Sequence, residues 1–311
     1  MIVTLTINPA VDRTVSVDKL VFEDRAYILA RSEAAGGRGL NASRVLASFG
    51  AETVAVLAAG GEVGERIGEL LEDGDFPSKI VKIAAPSRIN LTISDKQGLT
   101  AKLNELGPTI TPDELKQLHR VVEAQLAKAT WLMICGSVPP GVDPRFYQEL
   151  VRLAHARGVK TLIDTDGDAL QFAMEAKPTV IAPNQAEAER LLHTALLTRA
   201  HYLEAARRLK SMGPENVVLS LGGRGAIGVS ESELIEVLPP RVDALCPIGA
   251  GDALAAAFVW AVEKKKTFPE AVRWGVAAGT ASAVLPGIAF ASLKDTQNFY
   301  RRVEVRSVAG D

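Results

Sequence analysis

Trp131-Leu-Met-Ile-Cys-Gly-Ser-Val-Pro-Pro-Gly141 passes from an apolar run into a loop rich in glycine and proline, and a helical pattern follows over Pro144–Arg157. Trp131–Cys135 contains no charged residue, so it predicts a strand buried on both faces. The same order recurs downstream. Lys160–Asp164 precedes a loop and a helix over Asp168–Glu175, and Val180–Ala182 precedes Pro183-Asn184 and a helix over Ala186–Leu192. Helix Tyr202–Met212 then leads into strand Asn216–Leu221, a glycine-rich turn and strand Ala226–Ser230. Strands alternating with helices predict a three-layer, doubly wound α/β fold, a mostly parallel sheet with helices on both faces. Ligands bind such sheets beyond the carboxyl ends of the strands. The loops at 8–12, 36–41, 135–141, 164–166, 183–187, 222–225 and 249–252 mostly follow strands, so they are expected to gather at one edge.

Upstream, Met1–Ile7 reads as a buried strand ending at Asn8-Pro9, and Ala35-Gly-Gly-Arg-Gly39 as a loop. A helix over Leu40–Phe49 stops at Gly50, strand Val54–Leu57 leads to a helix over 62–72, and Ile80–Ile83 is another strand. Two stretches depart from this rhythm. Thr14–Val17 with Tyr27–Ser32, and Arg88–Ser94 with Leu99–Leu103 around Gln97-Gly98, are polar and alternating, the pattern of strands with one solvated face. They predict a small separate sheet acting as a lid over 11–33 and 87–105, with 1–10, 34–86 and 106–311 forming the core domain. Helices are expected over Pro112–Ala129, Phe268–Leu285 and near Leu293–Arg302.

The chain has 311 residues, 47% hydrophobic and 23% charged, which suits a soluble globular protein built on one large domain. A formal net charge of −2 provides no basic field for nucleic acid. Cys135 and Cys246 lie far apart in apolar settings and read as reduced, buried thiols, which points to the cytoplasm. His119, His155, His193 and His201 lack metal-ligand spacing. No signal segment opens the chain and no long uncharged run suggests a membrane span, so the sequons at Asn41 and Asn90 are discounted.

The chemistry concentrates in Leu245-Cys-Pro-Ile-Gly-Ala-Gly-Asp-Ala-Leu-Ala-Ala-Ala-Phe-Val-Trp260. A Gly-Ala-Gly turn enters an apolar helix whose first amides lack internal partners and carry the positive end of the helix dipole. Such a helix start attracts phosphate. Asp252 sits where turn becomes helix. Either it caps the helix, or it removes a proton from a hydroxyl beside a phosphate.

Together with Gly36-Gly-Arg-Gly-Leu-Asn41, this stretch makes the pattern specific. The sequence resembles the ribokinase-like carbohydrate kinases of the phosphofructokinase B branch, closest to the 1-phosphofructokinase and tagatose-6-phosphate kinase members. The likeness runs through Leu5–Arg13, Gly36–Asn41, Ser87–Asn90, Leu103–Pro108, Gly136–Gly141, Pro183–Glu187, Ser220–Gly222 and Gly249–Asp252, in family order. It implies a kinase that transfers the γ-phosphoryl group of ATP, with Mg²⁺, to a phosphosugar, best matched by fructose 1-phosphate. By this resemblance Asp252 is the general base, and the amides of Gly249, Ala250 and Gly251 form the anion hole. Asn184 and Glu187 would hold Mg²⁺ through water, although the same pair is also a capping pattern. Asp12, Gly37, Gly39, Asn41, Asn90, Asn104 and Ser137 would hold the sugar. The fixed cations for its phosphate would be Arg88 first, then Arg38 and Arg25, with Lys102 weaker. Ser220, Gly222, Gly225, Ala278, Gly279 and Ser282 would form the adenine pocket. A homodimer through the lid is also implied, since pairing hides exposed strand edges.

Three positions depart from the family pattern: Arg38 replaces the usual lysine, Cys135 a frequent serine, and Ala182 a lysine of many phosphofructokinases. They bear on which phosphosugar is used, with tagatose 6-phosphate and fructose 6-phosphate as alternatives. A dinucleotide enzyme would need strand, turn and helix around Gly-x-Gly-x-x-Gly. Gly223-Arg-Gly-Ala-Ile-Gly228 instead enters a strand, while the Ala-ended match Gly37-Arg-Gly-Leu-Asn-Ala42 is not excluded locally but leaves Asp252 unexplained. A P-loop is absent, since no Gly-Lys dipeptide occurs. A non-catalytic sensor on the same fold would tolerate loss of Asp252, Asn184 and Glu187, yet all three are present. A kinase of an unphosphorylated sugar or nucleoside would have no use for Arg38 and Arg88 together.

Overall fold

The computed structural model describes residues 1–21, 23–72, 74 and 76–308. Phe22 of the expected lid, Asp73 and Asp75, and residues 309–311 of the expected core lie outside the described residues. The chain begins β1 (Ile2–Thr6), β2 (Ala10–Val17), β3 (Ile28–Gly36), α1 (Arg38–Ser48), β4 (Thr53–Gly60), α2 (Gly61–Glu72), β5 (Ser78–Ile83), β6 (Arg88–Asp95), β7 (Thr100–Asn104) and α3 (Pro112–Leu126). Strand and helix then alternate in β8 (Trp131–Cys135), α4 (Arg145–His155), β9 (Lys160–Asp164), α5 (Gly167–Glu175), β10 (Val180–Ile181) and α6 (Gln185–Leu192). The chain closes with α7 (Arg199–Ser211), β11 (Asn216–Ser220), β12 (Ala226–Val229), β13 (Leu234–Leu238), α8 (Ala250–Glu263), α9 (Phe268–Ala283), α10 (Leu293–Tyr300) and β14 (Glu304–Ser307).

The large sheet has ten strands in the order β14-β13-β12-β11-β10-β9-β8-β1-β4-β5. From β5 to β11 every pairing is parallel, and β12 to β14 add an antiparallel edge. β1 lies between β4 and β8, so the winding reverses there, which is where open α/β sheets bind ligands. β13 and β14 were not expected from the sequence, although Leu234-Ile-Glu-Val-Leu238 alternates as an edge strand should.

The pleat sends alternate residues of β1 into different layers. Val3, Leu5 and Ile7 pack with Leu118 and Val122 of α3 and Phe146 and Leu150 of α4. Ile2 packs with Val45 and Leu46 of α1 and with the alanine-rich face of α8. The α8–α9 contact is close because α9 presents glycine: a Cβ at Gly275 would stand 2.8 Å from the Leu254 carbonyl oxygen, and one at Gly279 would stand 2.8 Å from that of Ala250. Trp260 then fills the end of this layer, donating its indole N–H to Phe49 O at 3.2 Å.

The expected lid is a four-stranded sheet in the order β3-β2-β6-β7, parallel between β2 and β6 and antiparallel elsewhere. β2 and β3 are longer than predicted, because β2 starts at Ala10 and β3 ends at Gly36. The predicted loop at 35–39 is therefore a strand end meeting a helix start, with only Gly37 between them, at φ +135°. Among the described residues no helix is long and apolar enough to cross a membrane.

Candidate active site

Thr6, Cys135 and Asp164 stand at the same register across β1, β8 and β9, so the carboxyl ends of three strands meet beside the reversal point. Gly39 lies so close to β1 that a Cβ there would stand 2.5 Å from Thr6 Oγ1 and 2.7 Å from Leu5 O. This approach seats the start of α1 on the strand ends, bringing Arg38 and Asn41 over them. The start of α8 faces it.

Gly249, in the left-handed conformation at φ +79°, is the N-cap of α8, and no side chain caps the helix. Asp252 is the third helical residue and does not cap. Its Oδ2 instead accepts a hydrogen bond from Asn41 Nδ2 at 2.7 Å. The Ala250 amide donates to Pro247 O at 3.2 Å, so that member of the expected anion hole is already engaged. Burial pushes the Asp252 carboxyl well above the usual carboxylate range and the neighbouring Asp164 adds to it, while the Asn41 hydrogen bond and Arg38 oppose the rise. A carboxylate raised toward neutral pH is suited to accepting a proton.

Arg38 bridges two buried carboxylates. Its guanidinium donates to Asp164 Oδ1 at 2.8 Å and to Glu187 Oε1 at 2.9 Å. Asp164 is 6% exposed and Glu187 2%, so neither charge is compensated by water. Burial raises Glu187, and Arg38 counteracts it most strongly. Arg38 itself is held firmly charged, chiefly by Asp164.

Asn184 and Glu187 form a complete capping box at the start of α6: Asn184 Oδ1 accepts from the Glu187 amide at 3.0 Å, and Glu187 Oε2 from the Asn184 amide at 2.9 Å. Each Glu187 oxygen therefore already accepts one hydrogen bond. Among the described residues no group of three or more His, Cys, Asp or Glu side chains is placed to hold a metal ion directly. The free lone pairs of Glu187 and Asn184 fit the water shell of a hydrated Mg²⁺ better than a direct cage.

Asp12 lies on β2 against Gly36, where a Cβ would fall on its carboxylate. Its Oδ1 accepts from Asn90 Nδ2 at 2.8 Å, and burial raises its pKa against the pull of Asn90, Arg88 and Arg44. Arg88 braces the lid base: its terminal nitrogens donate to Glu105 O at 2.9 Å and Asn8 O at 3.0 Å, and its buried Nε has no partner. Asn8 Oδ1 and Asn90 Oδ1 are likewise buried without partners, so unpaired polar atoms gather at the base of the small sheet. Ser137 accepts from Asn8 Nδ2 at 3.2 Å. Asn104 lies opposite Asn90 on β7 but is exposed, as is Lys102.

Other expected residues fall elsewhere. Arg25 is exposed at the tip between β2 and β3, and among the described residues its side chain makes no hydrogen bond or ion pair. A cavity of about 700 Å³ opens on the other side of the α8 start, lined by Asn184, Ser220, Gly222, Gly225, Gly251 and Gly279 among others. Ala278 and Ser282 do not line it. The 3.6-residue period turns Val276, Gly279, Thr280 and Ala283 toward the cavity and sends Ala278 into the core, while Ser282 accepts the Ala291 amide at 3.1 Å. Gly225 is needed for packing too, at φ +94° with its missing Cβ against Val237 O. Cys135 is buried beneath the site, and burial keeps its thiol protonated. Cys246 is only partly buried. Sequence reading missed Asp164, Arg44 and the Pro239–Ala244 wall of the cavity.

The chain matches the family described as pfkB family carbohydrate kinase over residues 5–294. It belongs to that family. The kinase is 32% identical to the ATP-dependent 6-phosphofructokinase isozyme 2 of Escherichia coli (strain K12), over 96% of this chain and 97% of that protein. It is 30% identical to the 1-phosphofructokinase of Borreliella burgdorferi, over 91% of this chain and 92% of that one. The solved structure of Escherichia coli phosphofructokinase-2 superposes with a TM-score of 0.90 at 31% identity, covering 96% of this chain and 98% of its own. The ribokinase of Thermotoga maritima shares the fold, with a TM-score of 0.77 at 20% identity over 97% of this chain and 99% of its own. The chain is thus a carbohydrate kinase, a phosphotransferase with the ribokinase-like fold.

Proposed function

We propose that this kinase phosphorylates a ketohexose phosphate with ATP, converting fructose 1-phosphate to fructose 1,6-bisphosphate. One observation carries the reading. Asp252 stands buried at an uncapped helix start, beside a cavity large enough for a nucleotide and near Asp12 and the Asn41 amide that holds it. In the reaction the substrate hydroxyl gives its proton to Asp252 as its oxygen bonds to the γ-phosphorus. The bond from that phosphorus to the β-phosphate oxygen breaks, and ADP leaves. The amides at the start of α8 hold the charge that builds on the transferring group. Mg²⁺, held through water by Asn184 and Glu187, would neutralise phosphate charge. Asp12 accepts hydrogen bonds from the sugar hydroxyls, and Arg88 supplies the fixed positive charge for the sugar phosphate.

The 6-phosphofructokinase relative favours fructose 6-phosphate as the second reading. ADP release measured across fructose 1-phosphate, fructose 6-phosphate, tagatose 6-phosphate, fructose and ribose separates them. Fructose 1-phosphate is expected to give the highest kcat/KM. A higher value for either 6-phosphate reassigns the substrate, and faster turnover of ribose removes the phosphate role of Arg88.

The lid further supports a homodimer. Its edge strand β3 carries Ile28 and Leu29 at 65% and 53% exposure, an apolar edge that a second copy would cover. Sedimentation should give twice the chain mass for the native protein and a monomer for Ile28→Glu, whereas a native monomer would refute it. The thiols, unpaired in the structure, support a cytoplasmic enzyme, which cell fractionation would test.

A further inference from the structure

Arg44 is a polar side chain near the site with no part in the chemistry proposed above. It lies one turn beyond Asn41 on α1, on the same helical face. Its guanidinium donates to Asn41 Oδ1 at 3.0 Å and to Ala35 O at 2.6 Å. Asn41, 6% exposed, donates its Nδ2 to Asp252 Oδ2 at 2.7 Å. An amide has one accepting end and one donating end. A guanidinium can only donate and a carboxylate can only accept, so this pair of neighbours permits one orientation of the Asn41 amide. Ala35 O, at the end of β3, fixes the guanidinium in turn.

We propose that Arg44 is a positioning residue for phosphoryl transfer: it locks the Asn41 amide so that its N–H₂ faces the carboxylate of Asp252 and holds that carboxylate in line with the incoming hydroxyl. The inference rests on the reading of Asp252 as the base. Without Arg44 the amide is free to turn its oxygen toward Asp252, which sets two acceptors against each other and disfavours the ionised base. The groups facing Asp252 are Asn41 and Arg38 from α1, Asp12 from β2, Asp164 from the end of β9, and Cys135 from β8. Arg44 reaches Asp252 by a hydrogen-bonded route through Asn41, and its charge also acts on Asp12. The Asn41→Ala background separates the route through Asn41 from a charge effect carried by Asp12.

The test is the pH dependence of kcat and kcat/KM with ATP, Mg²⁺ and whichever of fructose 1-phosphate and fructose 6-phosphate turns over faster. The proteins are the wild type, Arg44→Gln, Arg44→Lys, Asn41→Ala, and Asn41→Ala combined with Arg44→Gln. Misplacement of a reacting group costs up to about 10²-fold. Arg44→Gln should accordingly lower kcat roughly 10- to 100-fold, change the sugar KM little, and move the acid limb of the profile to higher pH. Arg44→Lys has one donating group for two acceptors and should fall between, which carries the test if the glutamine variant does not fold. In the Asn41→Ala background, Arg44→Gln should move the limb no further. An unmoved limb in both Arg44 variants overturns the proposal, as does an equal shift that persists without Asn41. A rise in sugar KM alone would make Arg44 a substrate contact instead. The base reading fails separately: it is overturned if Asp252→Asn keeps a near-normal rate with the same acid limb.

Discussion

Asp252→Asn is expected to lower kcat by on the order of 10²–10⁴, as for loss of a positioned general base, while ATP binding measured by calorimetry stays close to wild type. Asparagine keeps the shape and still accepts the Asn41 N–H, so the geometry at the α8 start survives. What it loses is the capacity to take a proton. The same substitution should stabilise the fold at high pH. Burial raises the Asp252 pKa above its unfolded value, so the native state holds the proton more tightly than the unfolded chain. Stability therefore declines as pH rises through the raised pKa, and the full cost of the buried charge is present above it. The variant should melt higher than wild type at alkaline pH, and the difference should shrink as pH falls and the wild-type carboxyl becomes neutral. Equal melting temperatures across the whole range would mean that the site tolerates the charge without cost, and a near-normal kcat would remove Asp252 as the base.

Arg38→Ala is expected to be the most destabilising single change at the site. It leaves Asp164 and Glu187 facing one another without a cation. Breaking a buried pair by removing one partner costs about 3–5 kcal/mol. Because the Arg38 side chain is 33% exposed, water compensates part of this. A loss of about 2–3 kcal/mol is the reasonable scale. For a chain of 311 residues that corresponds to a fall in melting temperature of roughly 3–5 °C. The pH dependence has a definite sign. Without Arg38 the Glu187 pKa rises further, so protonation relieves the repulsion, and the deficit should be largest near pH 8 and shrink as pH falls through that raised value. Arg38→Lys keeps the charge but replaces a fork with a single ammonium group, and should recover part of the loss. Unchanged melting for Arg38→Ala would mean that the two carboxylates are solvated by other means.

Much of this arrangement was legible in the sequence because periodicity and loop chemistry report it directly. The apolar strand β8 and the repeated order of strand, loop and helix after it indicated the parallel sheet, and the alternating pattern of 88–104 set the small sheet apart. Asp252 was legible as an unusual carboxylate with two explanations open, and its side-chain partner rules out the cap. That partner is Asn41, distant in sequence and near only in the fold. Glu187 went the other way, since the capping alternative proved to be literally present and coexists with any role toward Mg²⁺. Ala278 and Ser282 were misplaced because a run of small residues in α9 does not reveal which stripe faces the cavity. Asp164 and Arg44 were missed for a different reason. Asp164 ends an ordinary strand and Arg44 sits in an ordinary helix, and their importance lies in ion pairs and hydrogen bonds formed across the chain.

Phosphoryl transfer from ATP to a sugar phosphate at Asp252 leaves a direct spectroscopic trace. The most direct measurement is phosphorus NMR of the wild-type protein incubated with ATP, Mg²⁺ and fructose 1-phosphate. The γ-phosphate signal of ATP should decay while ADP and a new phosphomonoester at carbon 6 appear in equal amounts. Formation of ADP and inorganic phosphate with no new sugar ester, or no loss of ATP with any of the sugar phosphates tried, would contradict it.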